Sequence, residues 1–202
     1  ILFKKIPGQL GGYFMNPQPL LFAKAAKLET KRLVLRPVCL ADAKDMYEYA
    51  SDPQVTKWVS FPTHQTLDES KEAIATHFMA APLGKWGIVY RDTNKFIGTI
   101  SLMDLTAFSA ELGYVINRNF WGQGLVPEAA RTLLALAFDE LNLAQVHAVH
   151  ATKNPNSGRV LEKIGMRPVG IFPNYITHNF FPTDVKIWVI TREQYLANKH
   201  QK

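Results

Sequence analysis

The sequence predicts a mixed α/β (α+β) domain, in which a central β-sheet of about seven strands is flanked by about four helices. Three observations support this fold class. Segments with strand-like apolar patterns alternate with segments of helical spacing. The most strongly periodic helix lies between two short apolar strands. The chain has 202 residues, 47% of them hydrophobic and 20% charged, which is typical of a globular domain with a full core.

The predicted elements begin with a strand and a helix. Residues 30–37 form the strand, because Leu33 and Leu35 alternate with other residues before a proline. Residues 41–50 form the helix, since they contain helix-forming residues with apolar side chains on one side. An Asp-Pro pair then ends this helix, because the residue before a proline disfavours helical backbone.

A second helix and two strands follow. Thr66 and Glu69 form a capping box, which predicts a helix over residues 67–80. Residues 86–90 and 96–103 are rich in β-forming residues and are predicted to be strands. The Arg-Asp-Thr-Asn segment between them is typical of a hairpin turn.

The second half of the chain contains a strand–helix–strand unit. Apolar residues recur at helical spacing over residues 125–141, between predicted strands at 110–116 and 145–150. We expect these two strands to lie parallel, because a helix connects them. The remaining predicted elements are a short helix and two strands, at 155–164, 169–172 and 185–191.

Composition limits the expected partners and location. A formal net charge of +6 fits an anionic ligand, but the basic residues form no run, so we expect no direct nucleic-acid binding. No apolar stretch is long enough to predict a membrane span. The single cysteine, Cys39, favours a cytoplasmic location, and no residue spacing predicts a metal site. Residues 28–198 are expected to form the domain, preceded by an N-terminal extension, 1–27, with no assigned role.

The most informative pattern is a glycine-containing turn that opens a helix. Gly122 and Gly124 follow a strand and precede the helix that begins near Leu125. A helix N-terminus has backbone N–H groups without partners, and glycine lets a phosphate approach the backbone closely. We therefore expect the amides from Phe120 to Val126 to bind a pyrophosphate. The alternative is a plain strand-to-helix turn.

A second helix also begins with polar residues. Asn154 lies at a plausible N-cap, Pro155 at the first helical position and Ser157 in the first turn. Simple capping of the helix is an alternative explanation for this pattern.

These motifs carry a resemblance to a known family. The segment from Glu111 to Met166 resembles the core of the GNAT N-acetyltransferases, and is most similar to their branch of ribosomal-protein N-terminal acetyltransferases (RimJ/RimL-like). The acetyl-CoA loop of the family reads Arg/Gln-x-x-Gly-x-Gly/Ala. Here the loop is Asn119-Phe-Trp-Gly-Gln-Gly, with asparagine at its first position. The Leu-Glu-Thr-Lys-Arg-Leu-Val-Leu-Arg-Pro and Asn-x-x-Ser-x-x-Val-Leu-Glu-Lys-x-Gly segments are also typical of that branch, and the resemblance covers roughly residues 28–195.

The resemblance implies a GNAT fold and an N-acetyltransferase that uses acetyl-CoA as co-substrate, with direct attack of an amine on the thioester. It implies that backbone groups at Val115 and Ile116 polarise the thioester carbonyl, and that Asn154 binds the pantetheine arm. Ser157 would give a proton to the departing thiolate, a task for which other GNAT branches use a tyrosine that this helix lacks. The expected acetyl-CoA-binding residues are Val115, Ile116, Phe120, Trp121, Gly122, Gln123, Gly124, Leu125, Val126, Asn154 and Ser157.

Glu111 is the candidate proton acceptor. An acceptor amine is mostly protonated at pH 7 and must lose a proton before it attacks. A charged residue within Ala-Glu-Leu-Gly-Tyr-Val-Ile is unusual for a covered sheet, and alternation places Glu111 on the face opposite Tyr114. The alternatives for Glu111 are an edge or solvent-facing position, or a salt bridge to a neighbouring strand. His147 and His150 are expected to be solvent-facing or core residues rather than bases.

Aromatic residues in two loops are candidates for the acceptor groove. By the resemblance, Tyr175 borders this groove, with Trp58 and Phe61 on its other side, although these rings are also expected to cap the core. The favoured acceptor is a protein N-terminal α-amine, with ribosomal proteins implied by the resemblance, and a small-molecule amine is the alternative. A non-catalytic acyl-CoA-binding sensor is the alternative from a different class. The expected oligomeric state is a monomer or a homodimer.

Overall fold

The computed structural model describes residues 18–178 and 181–200. Within these residues one eight-stranded sheet has the order β1-β2-β3-β4-β5-β6-β8-β7. Neighbouring strands are antiparallel except β5 and β6, which are parallel. The strands are β1 (Leu28–Glu29), β2 (Leu33–Arg36), β3 (Lys85–Tyr90), β4 (Lys95–Met103), β5 (Ser109–Ile116), β6 (Gln145–Ala151), β7 (Arg167–His178) and β8 (Phe181–Thr191).

Seven α-helices accompany the sheet in the described residues, so the predicted mixed α/β class is confirmed. Helices α4 and α5 continue as π-helical segments, Ile74–Met79 and Leu136–Glu140. None of these helices is long and apolar enough to cross a membrane. The helices are α1 (Gln18–Lys24), α2 (Ala43–Ala50), α3 (Pro53–Thr56), α4 (Leu67–Ala73), α5 (Leu125–Ala135), α6 (Pro155–Lys163) and α7 (Arg192–His200).

Two hydrophobic clusters cover the two faces of the sheet. Leu33 and Leu35 belong to the larger cluster, while Val34 packs against the smaller one, so alternation along β2 places the clusters on opposite faces. The larger cluster holds buried residues of α1, α5 and α6, and the smaller cluster holds residues of α2 and α3. The sheet therefore lies between two packed layers.

Helix α1 was not predicted, although it packs on the larger cluster. Phe22 and Ala25 are buried there, and Trp86 Nε1 donates a hydrogen bond of 2.9 Å to the carbonyl of Ala25. Pro19 made this segment unlike a helix in the sequence, but proline is tolerated in the first helical turn. The predicted division of the chain at residues 27 and 28 remains a prediction.

Strands β7 and β8 are longer than predicted. The sequence predicted that Tyr175 lies in an aromatic and polar connection between two short strands, and a Pro-Asn pair precedes it. The structure accommodates that pair in a bulge, where Asn174 has φ of 51° and its N–H donates to Asp184 at 2.9 Å. Pairing then resumes, so Tyr175 lies within a strand.

Candidate active site

The candidate site begins where β5 and β6 separate. The two strands pair over only three residue pairs, the last of which joins Glu111 and His147. Beyond that point, among the residues that the structure describes, β5 pairs only with β4, as far as Ile116, and β6 only with β8, as far as Ala151. The facing edges therefore carry backbone groups without strand partners, which is the arrangement that an amide-containing arm needs in order to hydrogen-bond between them.

A cavity of about 450 Å³ opens at this gap. One wall comes from β5 and β6, and the others come from the loop before α5, from the start of α5, from α6, and from α3 with the segment after it. Arg159 and Lys163 are the charged residues among its described lining, and the lining includes no Asp or Glu. This charge distribution suits a negatively charged ligand.

The loop before α5 presents a row of backbone N–H groups. Gly122 and Gly124 both adopt positive φ, 75° and 74°, a conformation that costs glycine little. The described residues provide no hydrogen-bond acceptor for the five amides from Gly122 to Val126. These amides stand at the positive end of the α5 dipole, so the loop has the form of a nest that suits an anion.

The nest is shorter than the sequence predicted. A 3₁₀ turn, Arg118–Phe120, precedes the nest, and the two amides just before Gly122 donate hydrogen bonds within this turn. The N–H of Phe120 donates to Asn117 O at 3.0 Å, and that of Trp121 donates to Arg118 O at 3.0 Å. These two amides therefore have partners within the turn, and their binding to phosphate stays a prediction, although both residues line the cavity.

Side chains fix the loop from beneath. Trp121 Nε1 donates to Ile116 O at 2.9 Å, which ties the loop to the end of β5. Gln123 does not line the cavity, because its side chain turns back and donates to Asn119 O at 3.1 Å. The Asn119 side chain lies 3.5 Å from Glu48 on α2. The unusual asparagine therefore contacts α2 through its side chain and the loop through its carbonyl.

Ser157 lies on the first turn of α6 and has a tyrosine partner that the sequence did not predict. Tyr114 Oη is 2.7 Å from Ser157 Oγ and donates to Ser157 O at 3.1 Å. Burial raises the pKa of Tyr114 to about 12, although its hydrogen bond with Ser157 acts in the opposite direction. The phenol therefore stays protonated near neutral pH. Asn154 caps α6, its side-chain oxygen 3.5 Å from the N–H of Ser157, and both residues line the cavity.

Glu111 faces the opposite side of β5 and pairs with His147. Glu111 Oε2 lies 3.3 Å from His147 Nε2, and the two side chains are 19% and 28% exposed. The hydrogen bond with Glu111 raises the pKa of His147, burial opposes this, and the charge of Asp104 adds to the increase. The salt-bridge alternative is therefore what the structure contains, at the point where the strands part.

His150 is a core residue, as one of the two expected alternatives stated. It is 8% exposed, and its Nδ1–H donates to Ala151 O at 2.8 Å. Burial lowers the pKa of His150, which favours the neutral ring. The imidazole lies against α6 at Gly158, where a Cβ atom would come within 2.9 Å of Nε2.

The three groove candidates occupy different surroundings. Trp58 lines the cavity, together with Gln54, Val55 and Val59 from the same segment. Phe61 packs against the smaller cluster and has its ring 5.6 Å from that of His64. Tyr175 is 53% exposed and contacts Phe172. Of the three, Trp58 alone reaches the described cavity wall.

Comparisons with known proteins agree with this geometry. Residues 32–167 match the family model described as the acetyltransferase (GNAT) domain. The uncharacterized N-acetyltransferase YoaA of Bacillus subtilis (strain 168) is 32% identical over 171 residues, which cover 82% of this chain and 96% of that protein. The putative ribosomal N-acetyltransferase YdaF of the same organism is 32% identical over 127 residues, or 56% of this chain and 65% of that protein.

A solved structure has the same architecture. The GNAT-family acetyltransferase from Bacillus anthracis superposes with a TM-score of 0.75 at 26% identity, and the match covers 83% of this chain and 99% of that one. The free amides before α5, the gap between β5 and β6, and these relatives lead to one conclusion. The chain belongs to the GNAT family and is an acetyl-CoA-dependent N-acetyltransferase.

Proposed function

We propose that this N-acetyltransferase acetylates the α-amine of a protein N-terminus. The observation that carries the proposal is that a single carboxylate, that of Glu111, stands where the amine must lose its proton, and that the described cavity lining adds no other. A polyamine carries several positive charges and would require acidic groups along its path, whereas a peptide N-terminus brings one charge. The similarity to a relative named as a putative ribosomal N-acetyltransferase also supports this acceptor class.

The cofactor position follows from the free backbone groups. The amides of Gly122 to Val126 bind the pyrophosphate of acetyl-CoA, and the exposed edge of β5 pairs with the pantetheine arm. Backbone N–H groups near Val115 and Ile116 polarise the thioester carbonyl. Asn154 lies on the opposite wall of the cavity, where its side chain is close to the arm.

Proton transfer is divided between the two faces of β5. On one face, Glu111, paired with His147, accepts the proton that the attacking amine must lose. On the other face, Ser157 donates a proton to the CoA thiolate as the C–S bond breaks and the C–N bond forms. Tyr114 then replaces the serine proton through their 2.7 Å contact, and solvent water returns a proton to Tyr114 and removes one from Glu111 before the next turnover. Cys39 is exposed and does not line the cavity, which favours direct transfer over a cysteine acyl-enzyme.

A matched set of acceptors tests this proposal. The set contains a peptide with a free α-amine and one internal lysine, the same peptide with a blocked N-terminus, and spermidine. We expect CoA release with the first peptide at a kcat/KM at least about tenfold above the other two, with the acetyl group on the N-terminal residue by mass spectrometry. Equal or faster acetylation of the lysine or of spermidine would overturn the proposed acceptor.

A further inference from the structure

The segment before β2 makes a contact that the catalytic scheme does not use. The carboxylate of Glu128, in the first turn of α5, accepts three hydrogen bonds from it. Oε1 accepts from Thr30 Oγ1 at 2.6 Å and from the Arg32 backbone N–H at 2.9 Å. Oε2 accepts from Arg32 Nε at 2.7 Å. The Glu128 side chain thus joins the segment between β1 and β2 to the helix that follows the phosphate loop.

The guanidinium of Arg32 also reaches the phosphate loop itself. Its Nη1 donates to the carbonyl of Gln123 at 2.9 Å. In a trans peptide the C=O and the following N–H point in opposite directions. Since this carbonyl points at Arg32, the N–H of Gly124 must point away from it. Arg32 is not part of the cavity lining, whereas Gly124 is.

We propose that Arg32, held by Glu128, is a positioning residue that sets the affinity for the phosphate end of acetyl-CoA by orienting the loop amides. The inference rests on the proposed pyrophosphate site. An isolated, partly exposed ion pair usually contributes little to folding. Here the pair joins the first turn of α5 to the carbonyl of Gln123 in the loop, so its removal releases a glycine-containing segment just where the ligand binds.

The charges of Glu128 and Arg32 agree with this role. Burial raises the pKa of Glu128, but hydrogen bonds from Thr30 and Arg32 outweigh that effect, so the pKa lies below its ordinary value. The carboxylate therefore remains charged at neutral pH and holds the guanidinium. The Arg32–Glu128 pair lies on the side of the loop away from the cavity. It therefore acts on the ligand through the peptide that joins Gln123 and Gly124.

A second arginine, at the end of β2, provides a matched control. Arg36 pairs with Asp42 at 2.6 Å, as closely as Arg32 pairs with Glu128, and the Arg36 contacts do not include the loop. We would compare Arg32→Gln with Arg36→Gln by calorimetric titration with acetyl-CoA and by kinetics with acetyl-CoA and acetyl-pantetheine, which lacks the pyrophosphate. Thermal melting would be measured for each variant.

Arg32→Gln is expected to weaken acetyl-CoA binding about tenfold and to raise its KM similarly, with kcat within about twofold. Its kcat/KM for acetyl-pantetheine should match that of the wild type, and Arg36→Gln should bind acetyl-CoA normally. Unchanged acetyl-CoA affinity in Arg32→Gln would overturn the inference, as would an equal loss in Arg36→Gln or with acetyl-pantetheine. If the wild-type protein itself failed to bind acetyl-CoA, the proposed pyrophosphate site would fail first.

Discussion

Replacing Ser157 with alanine is expected to lower kcat for acetyl transfer about 100-fold, while the Kd for acetyl-CoA stays within about threefold. A proton delivered to the CoA sulfur as the C–S bond breaks lowers the barrier to its departure, and Ser157 is the hydroxyl on the cavity wall that has a second proton donor behind it. The amides of the phosphate loop do not depend on this side chain, so binding should persist. Initial rates of CoA release would give kcat, and calorimetric titration would give the Kd for acetyl-CoA.

Tyr114→Phe separates the serine from its partner. This variant keeps the ring and removes the hydroxyl that lies 2.7 Å from Ser157 Oγ, so we expect a smaller loss of kcat, about tenfold. Tyr195→Phe is the control, because that hydroxyl contacts Asp139 on another part of the surface. Wild-type kcat in Ser157→Ala would remove both residues from the proton path. Equal losses in the two tyrosine variants would indicate a general effect on the fold.

Glu111→Gln is also expected to lower kcat about 100-fold at pH 7 with little change in acetyl-CoA affinity. The amide retains the size of the carboxylate and its hydrogen-bonding oxygen, but it cannot accept a proton from the amine. The same measurements of CoA release and binding apply. A kcat within twofold of the wild type would assign the proton acceptor to another group.

The role proposed for Glu111 also predicts the direction in which kcat changes with pH. Glu111 raises the pKa of His147, so protonated His147 persists above its ordinary pKa of 6.5 and binds the carboxylate as an ion pair. The carboxylate becomes available as His147 loses its proton, so activity should rise with pH through a value above 6.5. His147→Gln should lose that limb of the profile. The ionisation of the acceptor amine is common to both proteins, so an identical profile in the variant would contradict the role of the pair.

Much of the fold follows from local patterns. The four predicted helices and seven predicted strands depend on apolar periodicity, capping residues and turn residues, all of which act within a few positions along the chain. Helix α1 was not predicted, because proline is unfavourable in most helical positions and Pro19 lies in the first turn of this helix. The full length of β7 was not predicted, because proline and asparagine are typical of loops, whereas here the Pro-Asn pair lies at a bulge within the strand.

The candidate site was predictable only where one segment supplies it. The glycine turn and the start of α6 can be predicted from the residue types within each segment. The contact of Tyr114 with Ser157, in contrast, joins positions 43 residues apart. Likewise, Arg32 meets Glu128 across 96 residues. The loss of the Phe120 and Trp121 amides from the nest depends on a 3₁₀ turn that no residue preference marks clearly. Such features require the packing of the whole sheet.

The central claim is that the gap between β5 and β6 holds the thioester between a proton acceptor and a proton donor, so that the amine attacks it directly. Initial rates measured while both acetyl-CoA and a peptide with a free α-amine are varied test this claim most directly. We predict intersecting double-reciprocal lines, and no acetylated protein by mass spectrometry when acetyl-CoA is added without acceptor. Parallel lines, together with an acetyl group retained on the protein, would contradict the account.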